Sequence, residues 1–215
     1  MYGDIFFAAP WSMWMLNPLA FLSERTAQVI VFFLALTIYF LIVRKGNRWS
    51  MLFILLSPPV IADLIAGNIE WMAMMCLIVP ERLSVIFALI KPQSTIGFII
   101  AKTLHGNISI LYGTLAMLIS ILPCNFWFLH YRDTLSLTQG YNISLWPMGI
   151  PIGVALLASA WQEKRSGIEA SPFLSPYCLT QTWTGPLLML LNKPLQAGLV
   201  VMSMWGIVAF QVLTR

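Results

Sequence analysis

A lysine followed by a proline, Lys91-Pro92, interrupts the apolar run 83–101 and restricts the fold more than any other feature of the chain. A residue before proline avoids the helical region, and proline opens a helix more readily than it continues one, so the run breaks into two halves, 83–90 and 92–101. The break carries a charge. A lysine or glutamate at the centre of a membrane helix costs roughly 2.5 to 3.5 kcal/mol, so Lys91 and the upstream Glu70 must face protein or a wet cavity, and both are functional-site candidates. From Asn68 to Val79 there are 12 residues, about 18 Å of helix against a hydrocarbon core of about 30 Å, so this helix is short, broken or shielded by protein.

Composition puts these groups at membrane depth. With 59% hydrophobic and 9% charged residues, the chain is unlike a soluble domain, in which about a quarter of residues are charged. An all-α, polytopic membrane bundle is expected, a single domain over 1–215 with about seven spans: 26–43, 49–66, 68–79, 107–129, 144–161, 171–190 and 195–213, around the broken pair 83–90/92–101. Pro58-Pro59 kinks or breaks the second of these, leaving Asp63 near its outer end. Residues 5–22, interrupted by Pro10 and Asn17-Pro18, read as interfacial or re-entrant, with Trp11 and Trp14 at a headgroup boundary. The expected location is a bacterial or archaeal cell membrane.

Short-loop lysines and arginines set the orientation. A re-entrant pair at Lys91 puts Arg44, Lys45, Arg48, Arg82, Lys102, Lys164, Arg165 and Arg215 inside and Arg25, Lys91, Arg132 and Lys193 outside or at depth, eight against four. A single crossing at 83–101 gives no clear asymmetry, so the re-entrant arrangement is preferred. It gathers Asp4, Asp63, Asn68, Glu70, Lys91, Gln93, Arg132 and Asp133 towards the outer side. There Lys91, with Gln93, Ser94 and Thr95 in the first turn after the break, suits an anion such as the phosphate of a lipid carrier. Asp63 or Glu70 then orients hydroxyl groups or holds the lysine, and a plain Lys91 pair with Glu70 or Asp63 that fixes the helices fits equally well. Asn68 and Gln93 can satisfy backbone groups freed at helix breaks, and Arg132 contacts phosphate or pairs in solvent with Asp133.

Other residue types point to packing. Cys76, Cys124 and Cys178 are scattered in apolar runs and read as buried thiols, while His105 and His130 lack ligand spacing, so neither a metal nor another cofactor is expected. Met72, Met74, Met75 and the tryptophans read as packing and interface anchors. The sequons at Asn107 and Asn142 are treated as chance matches. The formal charge of +4 reports orientation rather than a nucleic-acid partner.

Gly67-Asn68-Ile69-Glu70, an apolar helix, the turn Glu81-Arg82, another apolar run and Ile90-Lys91-Pro92 together resemble the polyprenol-phosphate-mannose-dependent glycosyltransferases of the GT-C superfamily. Upstream, Ala9-Pro10 and Asn17-Pro18-Leu19-Ala20 before a span are similar to that family's proline-containing segment. Downstream, Ser171-Pro172-Phe173-Leu174-Ser175-Pro176-Tyr177 and Gly185-Pro186-Leu187-Leu188 are similar to its late Ser-Pro-aromatic helix. The resemblance implies transfer of a sugar from a polyprenyl-phosphate donor to a lipid or glycan acceptor on the extracytoplasmic face, with a loop carboxylate as general base. The chain departs from the family at its start, where the preceding helices and the loop bearing that carboxylate are not found. Asp4 is the one carboxylate before Glu24 and hence the candidate base. The alternatives are a base supplied by a partner polypeptide, a truncated chain, or no transfer.

Two other classes stand beside this one. A noncatalytic subunit would use the same scaffold to pack against a partner carrying the missing helices. A transporter or lipid flippase would use the broken helices from Asp63 to Lys91 as a midplane site, although no matching interrupted pair forms an inverted repeat in the second half.

Overall fold

The computed structural model describes residues 8–124, 142–159 and 166–214, and of residues 122–124 and 166 the backbone alone. Every regular element among them is helical. The chain enters through α1 (Pro10–Leu16) and a 3-10 turn over Asn17–Phe21. Helix α2 (Glu24–Val43) is capped by Ser23, whose Oγ accepts from the Thr26 N–H at 3.2 Å, and carries Glu24 in its first turn, where a carboxylate suits the helix dipole. It ends before Arg44-Lys45-Gly46. Asn47 caps α3 (Arg48–Leu55), and α4 (Pro58–Ala66) follows at a bend of 50°. That bend falls at Ser57-Pro58-Pro59, where proline removes N–H donors and opens a new helix. Gly67, at φ 60°, closes α4 in the left-handed conformation that glycine adopts freely.

The next elements are short: α5 (Glu70–Met74), a 3-10 turn over Met75–Leu77, a second over Glu81–Leu83, and α6 (Ser84–Ala88). Lys91, at φ −138° and ψ 78°, separates α6 from α7 (Pro92–Leu104). Helices α8 (Ser109–Cys124) and α9 (Ile150–Ser159) are apolar. The region expected to cross at 171–190 does not form a span. It consists of α10 (Ser171–Leu174), a non-helical stretch over 175–179, a 3-10 turn over Thr180–Trp183 and α11 (Thr184–Leu188). Pro172, Pro176 and Pro186 break it up, and the hydroxyls of Ser171, Ser175, Thr182 and Thr184 are buried within the protein. The last helix is α12 (Pro194–Leu213).

Among the described residues, α2 and α12 are long and apolar enough to cross a membrane, and α3 with α4 makes a third if the bent pair counts as one. Seven spans are thus not found among the described residues, where proline breaks the apolar sequence at Pro58-Pro59, Pro92 and Pro172.

Four contacts fix how the pieces run. The Asn47 N–H donates to the Leu191 carbonyl at 2.8 Å, so α12 starts beside the start of α3, at the basic end of α2. Gly198 then faces the Phe53 ring, and Trp205 Nε1 donates to the Leu56 carbonyl at 2.9 Å, so α3 and α12 rise in parallel. Lys193, expected outside or at depth, thus belongs to the basic end, and Leu213 lies far from it. Arg215, expected inside, lies outside the described residues. Finally, Lys102 Nζ lies 3.0 Å from Glu81 Oε1, which joins the two ends of the broken segment and makes it a hairpin that turns back at Lys91.

Packing is confined to one half of the long helices. The buried residues of α2 are Ala35, Tyr39, Ile42 and Val43, all towards its basic end, and those of α12 are Ala197, Gly198 and Val201, all in the half that starts there. Beyond them Val29, Phe33, Met202, Ile207 and Phe210 are exposed. The core is thus a half-thickness layer from which α2 and α12 project. Trp11, expected at a headgroup boundary, is buried in this core and donates from Nε1 to the Ile86 carbonyl at 3.1 Å. Where α7 crosses the 166–170 turn, a side chain on Gly97 would strike the Gly167 carbonyl, so only glycine permits that approach.

Candidate functional site

The site assembles where α4, α5 and the hairpin meet. Asp63 is carried by α4 with 1% exposure, and its Oδ2 accepts from the Tyr39 hydroxyl at 2.6 Å. The turn after α4 sets Asn68 and Glu70 two residues apart, with Glu70 fully buried as the first residue of α5. Lys91 arrives from the hairpin tip. Its Nζ lies 2.7 Å from Glu70 Oε2 and donates to Asn68 Oδ1 at 3.1 Å. Asn68 Oδ1 also accepts from the Ile69 N–H at 2.8 Å, so the amide is oriented by its own backbone. Thr95 closes the break by donating to the carbonyls of Ala88 at 2.6 Å and Lys91 at 3.1 Å. Carbonyls freed at a proline break need such partners when no water is at hand.

The electrostatics are unbalanced. Asp63 and Glu70 supply two carboxylates against the single ammonium of Lys91, and Glu70 Oε1 lacks a hydrogen-bond partner among the described residues. The Ser94 hydroxyl and the Trp71 indole N–H are likewise buried without one. Buried polar atoms in this state are rare and mark a place where a ligand, a proton or water completes the network.

Tyr39 precedes Val43 by four residues, about 6 Å of helix rise from the basic end of α2, and Lys91 stands about 16 Å along α7 from Lys102. Asp63, Glu70 and Lys91 therefore lie on the side of the core layer away from Lys102. Ile65, at 79% exposure, and Gly67 form an exposed edge directly beside Asn68. Gln93 is half-buried at the second position of α7. Asp4, Arg132, Asp133 and His130 fall outside the described residues.

Three participants were missed from sequence. Tyr39 looks like one more aromatic in an apolar span. Glu81 was read as a turn residue and Lys102 as an inside lysine, and a pairing between them follows directly from a hairpin. They line a cavity of about 560 Å³ at the basic end, with Lys45, Phe98 and Leu188 among its other walls. Cys76 and Cys178 are buried thiols, and burial pushes the Cys178 thiol up to about 12, which keeps it neutral and unreactive. Among the described residues no three His, Cys, Asp or Glu side chains converge as metal ligands.

Compared with protein-family models, with curated proteins and with solved structures, the chain matches none.

Proposed function

We propose that this chain is an integral, multi-pass membrane protein of glycosyltransferase type. In this reading it moves a sugar of the mannose type from a polyprenyl-phosphate donor to a lipid or glycan acceptor on the extracytoplasmic face. The observation that carries the reading is the meeting of Asn68, Glu70 and Lys91 around one ammonium, 2.7 and 3.1 Å from its partners. The two separated motifs that resemble the GT-C enzymes come together there, at a helix break beside an exposed edge.

The chemistry follows from the groups present. The acceptor hydroxyl oxygen attacks the anomeric carbon while the bond from that carbon to the phosphate oxygen breaks. Polyprenyl phosphate leaves with the bonding pair, and the hydroxyl proton passes to a carboxylate, for which Asp4 is the candidate. Lys91, with the start of α7 behind it, has the charge to stabilise the leaving phosphate. The Lys91–Glu70 pair is then the resting form, and the phosphate replaces Glu70 at the ammonium, releasing that carboxylate with Asp63 to orient sugar hydroxyls.

The experiment is binding and transfer with a radiolabelled polyprenyl-phosphate sugar and the purified chain. Lys91→Ala in a Glu70→Gln background removes both charges of the ion pair together, so it is expected to keep the fold and abolish donor binding, whereas Lys91→Arg keeps part of it. Donor binding unchanged in the folded double variant would remove Lys91 from the phosphate site.

One observation favours a second reading, a noncatalytic subunit. Lys91 is 3% exposed with its pair complete, and the projecting halves of α2 and α12 offer apolar surface to a partner bearing further helices. A folded wild-type chain that binds no donor would select it.

A further inference from the structure

A second charged site lies at the other end of α7 and owes nothing to the reading above. The cavity of about 560 Å³ falls within the range of small-ligand pockets, about 300 to 1,000 Å³. Its interior is apolar, with Ile42, Leu77, Phe98 and Leu188 buried, while Lys45, Glu81 and Asn192 at its mouth are exposed. Lys102 is buried in its wall, with Nζ 5.4 Å from the centre of the Phe98 ring and 3.0 Å from Glu81 Oε1. The two partners differ in freedom, since the lysine side chain is 6% exposed and the glutamate 55%. Glu81 Oε1 also accepts from Asn107 Nδ2 in an exposed hydrogen bond, so water can take up the glutamate while the buried ammonium stays in the cavity wall, and the glutamate is the exchangeable member. Lys45 forms no ion pair with any described residue. With Lys45 and Lys102 set against Glu81, the cavity has one positive charge in excess.

We propose that this cavity holds an anionic amphiphile. A phosphate ester sits at the mouth between Lys45 and Lys102, taking the place of Glu81 at the buried ammonium, and its hydrocarbon chain lies along the apolar interior. The ligand is drawn from the leaflet at the basic end, where exposed Arg44 and Arg48 add to the attraction. A soluble phosphate ester shares the headgroup chemistry but leaves the interior unfilled.

The test is native mass spectrometry of the full chain with phosphatidylglycerol and, separately, phosphatidylcholine, each competed with glycerol phosphate. One phosphatidylglycerol is expected to be retained in preference to phosphatidylcholine and to resist glycerol phosphate. Lys45→Gln, at an exposed position, should raise the half-saturating lipid concentration about fivefold without changing thermal stability. Leu77→Trp, which fills the interior, should remove the bound lipid while Lys91 variants leave it in place. Equal retention of the two lipids, unchanged retention by Lys45→Gln, or full displacement by glycerol phosphate would each overturn the proposal.

Discussion

Lys91 and Lys102 stand towards the two ends of one helix, each paired with a glutamate from the segment before it, yet the pairs do different work. Glu70 is fully enclosed with Lys91, whereas Glu81 is 55% exposed at Lys102. A pair that is buried on both sides opens only when another charge takes the place of the partner that leaves, because separation alone strands a charge in a medium of low dielectric. A pair with one wet member can open, because the carboxylate that leaves is hydrated again. The first therefore holds the tip of the hairpin against α5 and guards the candidate site, and the second leaves the base of the hairpin able to accept another anion.

The comparison breaks most sharply at Glu70. Glu70→Ala leaves the buried Lys91 ammonium with only the Asn68 side chain as a hydrogen-bond partner, and the loss of stability is expected to be about 3 to 5 kcal/mol. Thermal unfolding in detergent should show a large drop for this variant and partial recovery in Glu70→Ala/Lys91→Met, which removes the stranded charge. A drop that the second change does not reverse would mean that Glu70 acts by packing and not by charge.

This asymmetry also shows which parts of the fold were legible in sequence. The breaks at Pro58-Pro59 and Lys91-Pro92 were readable because proline acts on its own neighbours, whatever surrounds them. The partnership of Lys91 with Glu70 was readable as one of two outcomes, because a charge at depth demands a counter-charge. The crossing at 171–190 was misread because hydropathy averages over Pro172, Pro176 and Pro186 and does not register hydroxyls that fold back, as when Ser171 Oγ accepts from the Gly97 N–H at 3.1 Å. Trp11 and Lys193 were misplaced for a related reason: an aromatic or a lysine near a helix end looks the same whether the end meets headgroups or another helix. The half-thickness core could not be read at all, since apolar residues suit lipid and protein alike.

Tyr39 sharpens the buried side of the comparison. Its hydroxyl donates to Asp63 Oδ2 at 2.6 Å and is the one side-chain donor to that carboxylate among the described residues, beside the Glu70 backbone N–H. Tyr39→Phe changes no volume of consequence and removes only that donor, so a loss of about 1 to 3 kcal/mol is expected. Asp63→Asn should then behave differently in the two backgrounds: milder alone than Tyr39→Phe, and nearly neutral on top of it. Additive losses in that cycle would show that the two side chains do not share one hydrogen bond.

The smallest effect belongs to Glu81, and it is the one that separates the two pairs most directly. Glu81→Ala removes the partner of a buried lysine, as Glu70→Ala does, but the Lys102 ammonium lies 5.4 Å from the Phe98 ring centre and lines an open cavity. Cation–π attraction of about 0.5 to 1 kcal/mol persists in the variant, and hydration through the mouth supplies the rest. The expected destabilisation is below about 1 kcal/mol, in the range of exposed ion pairs. Because the emptied position favours an anion, added phosphatidylglycerol should restore more of the thermal stability in Glu81→Ala than in Glu70→Ala. A loss at Glu81 as large as that at Glu70 would mean that the base of the hairpin is as closed as its tip, and that the two lysines of α7 do the same work.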